Sequence, residues 1–234
     1  MNEWMIGTDL GKKVDSSVIG VGRKMQRFTE DGRCISYWAL MSLEMVERMS
    51  YTEQGDLIRR LDNHRELHLN NDLIIDGTGV GEAVCDILRD RGMDPIKIVL
   101  SSGDHVNDIV ESSRSGFKWR QGFSVPKEDL VKAMKLSLEQ RRFVIAKGIQ
   151  FEDDIRNQFS HFVGIMSKNK NMIYNNDSNE VHDDIVCTIM MMNWYYMKGE
   201  GAFKDFRYKP NPQPVQYSQQ YSTAEYDPND YARR

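Results

Sequence analysis

Four aspartates stand where a strand or a helix of this chain is expected to end or begin. Asp9 follows the apolar segment WMIGT, and Asp76 follows LII. Asp183 and Asp184 come directly before the apolar segment 185–197. Desolvating a carboxylate beside a core is costly unless a partner cancels its charge. These residues therefore either form turns and helix caps or share a bound cation.

A shared metal site would explain why such carboxylates are kept together. Close carboxylates repel one another and raise one another's pKa values. Divalent cations relieve this repulsion, and hard oxygen ligands suit Mg²⁺ or Mn²⁺. Two such ions about 4 Å apart clamp the attacking and leaving oxygens of a phosphodiester. If the fold brings the four acids together, they predict a two-metal site for phosphodiester hydrolysis.

Local structure offers a competing explanation for each acid. Asp9 in TDLG and Asp76 in IDGTGVG could each make an Asx turn, in which the side chain bonds to its own backbone two residues on. A helix cap explains one acid of the pair 183–184 and explains two poorly. Because all four acids fall at element ends, the sequence favours the metal site.

The predicted elements form an α/β fold with a mixed central sheet flanked by helices. Three strands come first, joined by turns short enough for antiparallel hairpins, and a helix is predicted over residues 52–69. A strand, helix, strand unit over residues 72–101 implies a parallel crossover. In this order the first and fourth strands can be parallel neighbours, which would place Asp9 and Asp76 side by side. The carboxyl ends of such strands are where α/β sheets bind ligands.

The second half of the chain has less regular patterns. Residues 103–123 are polar, with Ser, Gly and Asn scattered through them, and are predicted to be a working loop or poorly ordered. A helix is predicted over 124–142, with Ser124 as N-cap and Pro126 in the first turn. A hairpin is predicted to turn at 168–171.

Composition divides the chain into a domain over residues 1–198 and a flexible tail over 199–234. The tail holds four of the six prolines and lacks apolar periodicity. Three cysteines without paired spacing argue against a disulfide framework or a zinc knuckle. The longest apolar stretch is shorter than the ~20 residues that cross a bilayer, so no membrane partner is predicted. A net charge of −4 speaks against a generic polybasic DNA binder and does not exclude a nuclease.

The order of four sequence segments resembles the nuclease domain of phage large terminases, which has the RNase H-like fold. The segments are IGTDLG, LIIDGTGVGEAVCDILRDRG, VPKEDLVKAMKLSLEQRRFVIA and NEVHDDIVCTIMMM, and the resemblance covers about residues 4–197. The family cuts concatemeric viral DNA during packaging, using two Mg²⁺ or Mn²⁺ ions. By position, the resemblance implies Asp9, Asp76 and Asp183 as the core ligands and Asp184 as an adjacent fourth carboxylate.

The resemblance also implies partners and a location. These are double-stranded DNA, a packaging ATPase domain, the portal and the small terminase subunit, in the cytoplasm of the infected host cell. The sequence departs from the full-length motor because it has no GxxxxGK[ST] phosphate loop: GTGVGE lacks the lysine and the serine or threonine. We therefore expect either an isolated nuclease domain or a chain whose ATPase partner is separate.

Basic residues outside the acidic set are predicted to contact DNA. They are Lys12, Lys13, Arg114, Lys118, Arg120, Lys168 and Lys170. Around 114–123 basic and aromatic residues alternate, which suits a DNA backbone with occasional stacking; solvated turns and buried aromatics are the alternative. His182 could orient a carboxylate or be a helix residue without chemistry. His64 and His68 have the spacing of a metal pair, but an exposed helical face explains them better than zinc.

Three rival functions remain open from the sequence. A phosphotransferase of the actin-like or sugar-kinase type shares the three opening strands and vaguely similar glycine loops, but it needs a duplicated domain. A junction resolvase would use the same acids on four-way junctions. A non-catalytic packaging scaffold would retain the acids without cutting DNA.

Overall fold

The computed structural model describes residues 2–11, 16–112, 118–166, 172–176 and 183–201. The strands are β1 (Trp4–Asp9), β2 (Ser17–Phe28), β3 (Cys34–Val46), β4 (Asn71–Asp76), β5 (Ile96–Ser101), β6 (Asn107–Ser112), β7 (Lys118–Pro126), β8 (Phe143–Ile145), β9 (Phe162–Met166) and β10 (Met172–Asn176). The helices are α1 (Tyr51–Asp62), α2 (Val80–Asp90), α3 (Lys127–Glu139), α4 (Glu152–His161) and α5 (Asp184–Gly199). Among these helices, none has the length and apolar character needed to span a membrane.

One eight-stranded mixed sheet organises the fold, in the order β6-β7-β5-β4-β1-β2-β3-β8. The first three strands pair antiparallel. β4 then pairs parallel with β1, β5 with β4, and β7 with β5. The predicted α/β architecture, with antiparallel strands followed by parallel ones, is confirmed. β9 and β10 form a separate antiparallel pair, and the turn predicted at 168–171 lies outside the described residues.

Each face of the sheet has its own hydrophobic core. Met5 and Ile74 pack in one core with residues of α3 and α5. Ile75 packs in the other core with residues of α1 and α2. Because successive side chains of a strand point to opposite faces, Asp9 and Asp76 point to the same face as Met5 and Ile74. Both acids therefore lie on the face that α5 covers.

A close approach between α5 and β1 fixes this helix over the sheet. A Cβ atom at Gly7 would lie 2.3 Å from Cγ and 2.5 Å from Sδ of Met192, so only glycine leaves room for the helix here. The indole Nε1 of Trp38 donates a hydrogen bond of 3.0 Å to Oδ1 of Asn193, which gives the amide that interrupts the apolar run a buried partner. Residues 190–192 are buried core methionines, as their sequence predicts.

Residues 103–123 are not the long loop that their composition predicts. β6 and β7 occupy residues 107–112 and 118–126, pair antiparallel with each other, and extend the sheet beyond β5. β6 is an edge strand whose residues are half-buried or exposed, so no apolar run marks it in the sequence. The loop prediction is wrong because sheet pairing, rather than local composition, makes these residues strands.

Two predicted helix boundaries are also wrong. Ser124 does not cap α3, because it pairs with Val99 of β5 and Asn107 of β6 inside the sheet. The helix begins at Lys127, with Pro126 in the N-cap position. α1 ends at Asp62 instead of continuing to residue 69, and turns follow it.

The contact between Gly7 and Met192 gives a test of how α5 is held. We expect Gly7→Ala to lower the free energy of unfolding by about 1–3 kcal/mol, the usual cost of overpacking a core. Urea unfolding of the purified chain measures this. Gly103→Ala is the control, because a Cβ there has nothing nearer than Ser101 Oγ at 3.7 Å. Equal stability of the two variants would show that α5 does not depend on this approach.

Candidate functional site

Four acids from three distant sequence segments come together at one edge of the sheet. They are Asp9, Asp76, Asp183 and Asp184, and this edge is called the acidic rim. Thr8 pairs with Ile75 in parallel register, so Asp9 and Asp76 stand at the ends of neighbouring strands, which lie about 4.8 Å apart in a sheet. Asp183 is the N-cap residue of α5, and Asp184 is its first residue. The charges of Asp76, Asp183 and Asp184 all act on the carboxyl group of Asp9.

Asp9 experiences the strongest electrostatic conflict at this rim. Burial raises the pKa of its carboxyl group well above the ordinary value, the neighbouring carboxylates raise it further, and among the described residues Lys127 lowers it. An Asx turn does not explain Asp9, because within the described residues the N–H of Gly11 donates to Ser17 Oγ, at 3.1 Å. Asp9 is therefore an acid held close to other acids without the local role that the sequence also allowed.

Asp76 makes an Asx turn and is held rigidly by it. Its Oδ1 accepts hydrogen bonds from the backbone N–H of Thr78 at 2.8 Å and from the Thr78 hydroxyl at 2.5 Å. A Cβ at Gly81 would lie 1.6 Å from the carbonyl oxygen of Asp76, so the start of α2 packs directly on this backbone. Burial raises the pKa of Asp76, while the Thr78 hydrogen bonds and Lys127 lower it. Because the turn engages only Oδ1, it is compatible with a role in metal binding.

The side-chain cap of α5 comes from a residue of another helix and not from Asp183. Asp183 makes no side-chain capping hydrogen bond. Instead Oε1 of Gln158, on α4, accepts hydrogen bonds from the backbone N–H groups of Ile185 at 3.0 Å and Val186 at 3.4 Å. Asp183 occupies the N-cap position but does not provide the side-chain cap that the sequence offered as the role of one acid of the pair.

Lys127 belongs to this rim, and the sequence analysis missed it. Its Nζ lies 2.7 Å from Oδ2 of Asp183. Burial lowers the pKa of Lys127, whereas Cys187, when ionised, and the carboxylates of Asp183 and Asp9 raise it. Lys127 directly follows β7, and β7 runs parallel to β5, as β5 does to β4. The carboxyl ends of β7 and β4 therefore meet at the same edge of the sheet, which places Lys127 at the edge where Asp76 stands.

Cys187 lies one helical turn after Asp183 and takes no part as a thiolate. Its backbone N–H donates to the carbonyl oxygen of Asp183 at 2.8 Å. Burial raises the pKa of its thiol well above the ordinary value, so the thiol is protonated at neutral pH. The negative charges that act on Lys127 at neutral pH are consequently those of the aspartates.

The donors at the rim fit a hard divalent cation in their chemistry. Carboxylate oxygens are the ligands that Mg²⁺ and Mn²⁺ prefer, and the repulsion acting on Asp9 is what a divalent ion relieves. In the described part of the chain, however, no three His, Cys, Asp or Glu side chains are already grouped closely enough to hold a metal ion. The rim is thus an acidic cluster of suitable composition that is not drawn together into a coordination shell.

Of the predicted DNA contacts, only Arg120 has a described side chain. Its guanidinium lies 3.6 Å from Asp108 and 4.7 Å from the ring centroid of Phe123. Lys198, in the last turn of α5, stacks on the same ring at 4.7 Å, whereas the acids stand at the first turn, about 20 Å away along the helix. The structure does not bring Arg120 to the acidic rim.

The other predicted DNA contacts and His182 fall outside the described side chains. The residues that lie outside the described ranges are Lys12, Lys13, Arg114, Lys168, Lys170 and His182. Only the backbone of Lys118, the first residue of β7, is described. Their roles stay predictions.

The raised pKa of Asp9 predicts a pH-dependent stability. The folded protein binds this proton more tightly than the unfolded chain, whose Asp pKa is about 3.9. Stability is therefore highest when Asp9 is protonated and is lost as the pH rises through its folded pKa. With EDTA present, we expect Asp9→Asn to have a higher Tm than wild type at neutral pH, with the gain shrinking as the pH falls.

Asp31 provides a control of the opposite sign. A hydrogen bond from Thr29, together with Arg33, lowers the pKa of this exposed carboxyl group, so Asp31→Asn should not raise the Tm at neutral pH. Melting curves across pH for the three proteins measure both effects. A Tm for Asp9→Asn at or below that of wild type at neutral pH would contradict the electrostatic conflict at the rim.

The cap on α5 can be tested at Gln158. Gln158→Met keeps the length of the side chain but removes the acceptor for two N–H groups, and an unsatisfied buried donor costs about 1–3 kcal/mol. We expect that loss in urea unfolding. Gln140→Met, at an exposed helix end, should be close to neutral. A stability of Gln158→Met equal to that of the control would mean that α5 needs no acceptor from α4.

Comparison with known proteins finds similarity in structure but not in sequence. The sequence matches no family model, and no curated protein matches it. The large terminase nuclease from thermophilic phage G20c with bound magnesium matches the structure with a TM-score of 0.53 and 19% identity, over 89% of this chain and 82% of that chain. The same nuclease with bound cobalt gives 0.51 and 18% over the same shares.

The Thermus phage P74-26 large terminase nuclease domain also matches, with a TM-score of 0.51 and 21% identity over 89% of this chain and 84% of that chain. At such identities the likeness concerns the fold. The resemblance predicted from the sequence is confirmed at that level. This chain has, over most of its length, the RNase H-like fold of phage large terminase nuclease domains.

Proposed function

We propose that this chain is a divalent-metal-dependent DNA endonuclease that cuts concatemeric viral DNA during genome packaging. The observation that carries the proposal is the convergence of Asp9, Asp76 and the pair 183–184 on one rim of the sheet. The fold supports it, since the similar structures are terminase nucleases, and two of them hold magnesium or cobalt.

In this proposal Asp9, Asp76 and Asp183 bind two Mg²⁺ or Mn²⁺ ions, and Asp184 is the adjacent fourth carboxylate. Bound divalent ions would supply activation of water and neutralisation of charge on the departing 3′ oxygen of a phosphodiester. The protein would position the carboxylates that hold these ions. β1 and β4 hold the first two carboxylates on neighbouring strands, and α5 holds the other two at its N-terminal end.

The substrate in this proposal is double-stranded DNA, contacted by basic residues near the rim. Lys12, Lys13, Lys168 and Lys170 are the predicted contacts, together with Arg114 and Lys118, and His182 could orient a carboxylate. Among the described elements nothing resembles a recognition helix that reads base edges, so we expect low sequence specificity. Control over when and where the DNA is cut would then come from a packaging ATPase domain, the portal and the small terminase subunit, in the cytoplasm of the infected cell.

The domain boundaries remain part of the proposal. The nuclease domain spans residues 1–198, and α5 ends at Gly199, where the predicted tail 199–234 begins. The tail is proposed to contact the portal or the capsid. The phosphotransferase alternative requires two duplicated halves, whereas the described residues form one eight-stranded sheet and one additional pair of strands.

Plasmid digestion tests the proposed activity. We expect the purified chain to cut with Mg²⁺ or Mn²⁺ and to be inactive with EDTA. Asp76→Asn should reduce cutting at least about 100-fold, because each 1.36 kcal/mol of lost transition-state stabilisation is a factor of ten and a metal ion contributes several kcal/mol. Its fold should be kept, as measured by circular dichroism.

Asp90→Asn is the matched control, since Asp90 is an exposed residue at the end of α2 and should cut like wild type. Chelator-insensitive cutting would contradict the metal mechanism. A folded chain that never cuts would favour the scaffold alternative, and a strong preference for four-way junctions over linear duplex would favour a resolvase.

A further inference from the structure

We propose that Lys127 is the resident counter-cation of the acidic rim: its ammonium group pairs with Asp183 when no divalent ion is bound and competes with that ion for the same carboxylate. This inference rests on the proposed function, because it concerns the same site. It assigns to one side chain part of the compensation for the repulsion among the acids in the metal-free protein.

The contacts of Lys127 direct its charge inward to the acids. Its Nζ lies 2.7 Å from Asp183 Oδ2, and both side chains are about three-quarters shielded from water, with relative exposures of 24% and 27%. The same Nζ stacks over the ring of Phe162 at 5.3 Å from its centroid. A charge held between a carboxylate and an aromatic face is stabilised in that place.

The position of Lys127 in its helix is unfavourable for a cation unless the acids require it. It is the first residue of α3, where the helix dipole favours negative charge, and Glu128 and Asp129 follow it as expected for a first turn. A cation at this position is therefore disfavoured by the helix dipole. The carboxylates attract the ammonium group of Lys127 and so oppose this cost. Asp9 and Asp76 contribute to this attraction as well as Asp183.

Competition follows from the charges at the rim. Among the described residues Lys127 is the cation that lowers the pKa of both Asp9 and Asp76, and one ammonium group does not balance four carboxylates. An ion bound through Asp183 would lie near Lys127, and two cations a few ångströms apart inside a protein repel strongly. We therefore expect a bound ion to weaken the contact between Lys127 and Asp183.

The test is a metal titration of purified full-length protein that does not depend on DNA cutting. Tm is measured in EDTA and in rising Mg²⁺, and Mn²⁺ affinity is measured by calorimetry, for wild type and Lys127→Met. We expect Lys127→Met to have a lower Tm in EDTA, a Tm approaching wild type at saturating metal, and a Mn²⁺ dissociation constant at least about fivefold lower. Lys132→Met, which removes an exposed cation of the same helix paired with Glu128, should leave the dissociation constant unchanged.

A merely structural ion pair would give a different result. Lys127→Met would then lower Tm equally with and without metal and leave Mn²⁺ affinity unchanged, and that outcome overturns the inference. If Lys127→Met does not fold, Lys127→Arg replaces it. Arginine pairs more tightly with a carboxylate, so weaker Mn²⁺ binding than wild type supports competition, and an unchanged affinity overturns it.

Asp76→Asn distinguishes failure of this inference from failure of the proposed function. If wild type binds Mn²⁺ and Asp76→Asn does not, the metal site stands, and the behaviour of Lys127→Met alone decides the inference. If wild type binds no Mn²⁺ and its Tm does not respond to Mg²⁺, the proposed metal site fails and the inference fails with it.

Discussion

Repulsion among carboxylates that are partly shut away from water is the constraint on which the arrangement of this protein depends. Asp9 experiences it most strongly, since burial and three neighbouring acids all raise its pKa. Nothing local to Asp9 offsets this, because the turn that could have used its side chain is not formed in the described residues. The rim must therefore be held together by interactions made elsewhere, and these can be identified.

Three of them position α5, and each comes from a different element. Met192 packs against Gly7 of β1, Asn193 accepts a buried hydrogen bond from Trp38 of β3, and Gln158 of α4 caps the first turn. Parallel pairing of β1 with β4 fixes the positions of the other two acids, Asp9 and Asp76. All of these contacts are between uncharged groups. The place of the acids is thus set by packing and backbone pairing, and the charges add a cost that the rest of the fold must offset.

The sequence predicts those parts of the site that local patterns mark. Asp9, Asp76 and the 183–184 pair could be found because each borders a continuous apolar segment, and the strand order that brings them together follows from the order of the elements. Lys127 could not be found, since its position depends on β7, whose polar residues become a strand only by pairing with β5 and β6. The cap from Gln158 joins residues 27 positions apart and leaves no local signal.

The contacts that hold α5 do not use the two adjacent acids at its start, and this bears on why the acids are there. A carboxylate near a helix N-terminus gains about 0.3–1 kcal/mol from the dipole, and a side-chain cap would gain about as much again. Asp183 makes no such cap, because Gln158 already provides it, and a second acid beside it only increases the repulsion at the rim. An arrangement chosen for stability alone would have used one capping residue there. Because Gln158 already provides the side-chain cap, the pair 183–184 remains consistent with the metal-ligand role proposed for it.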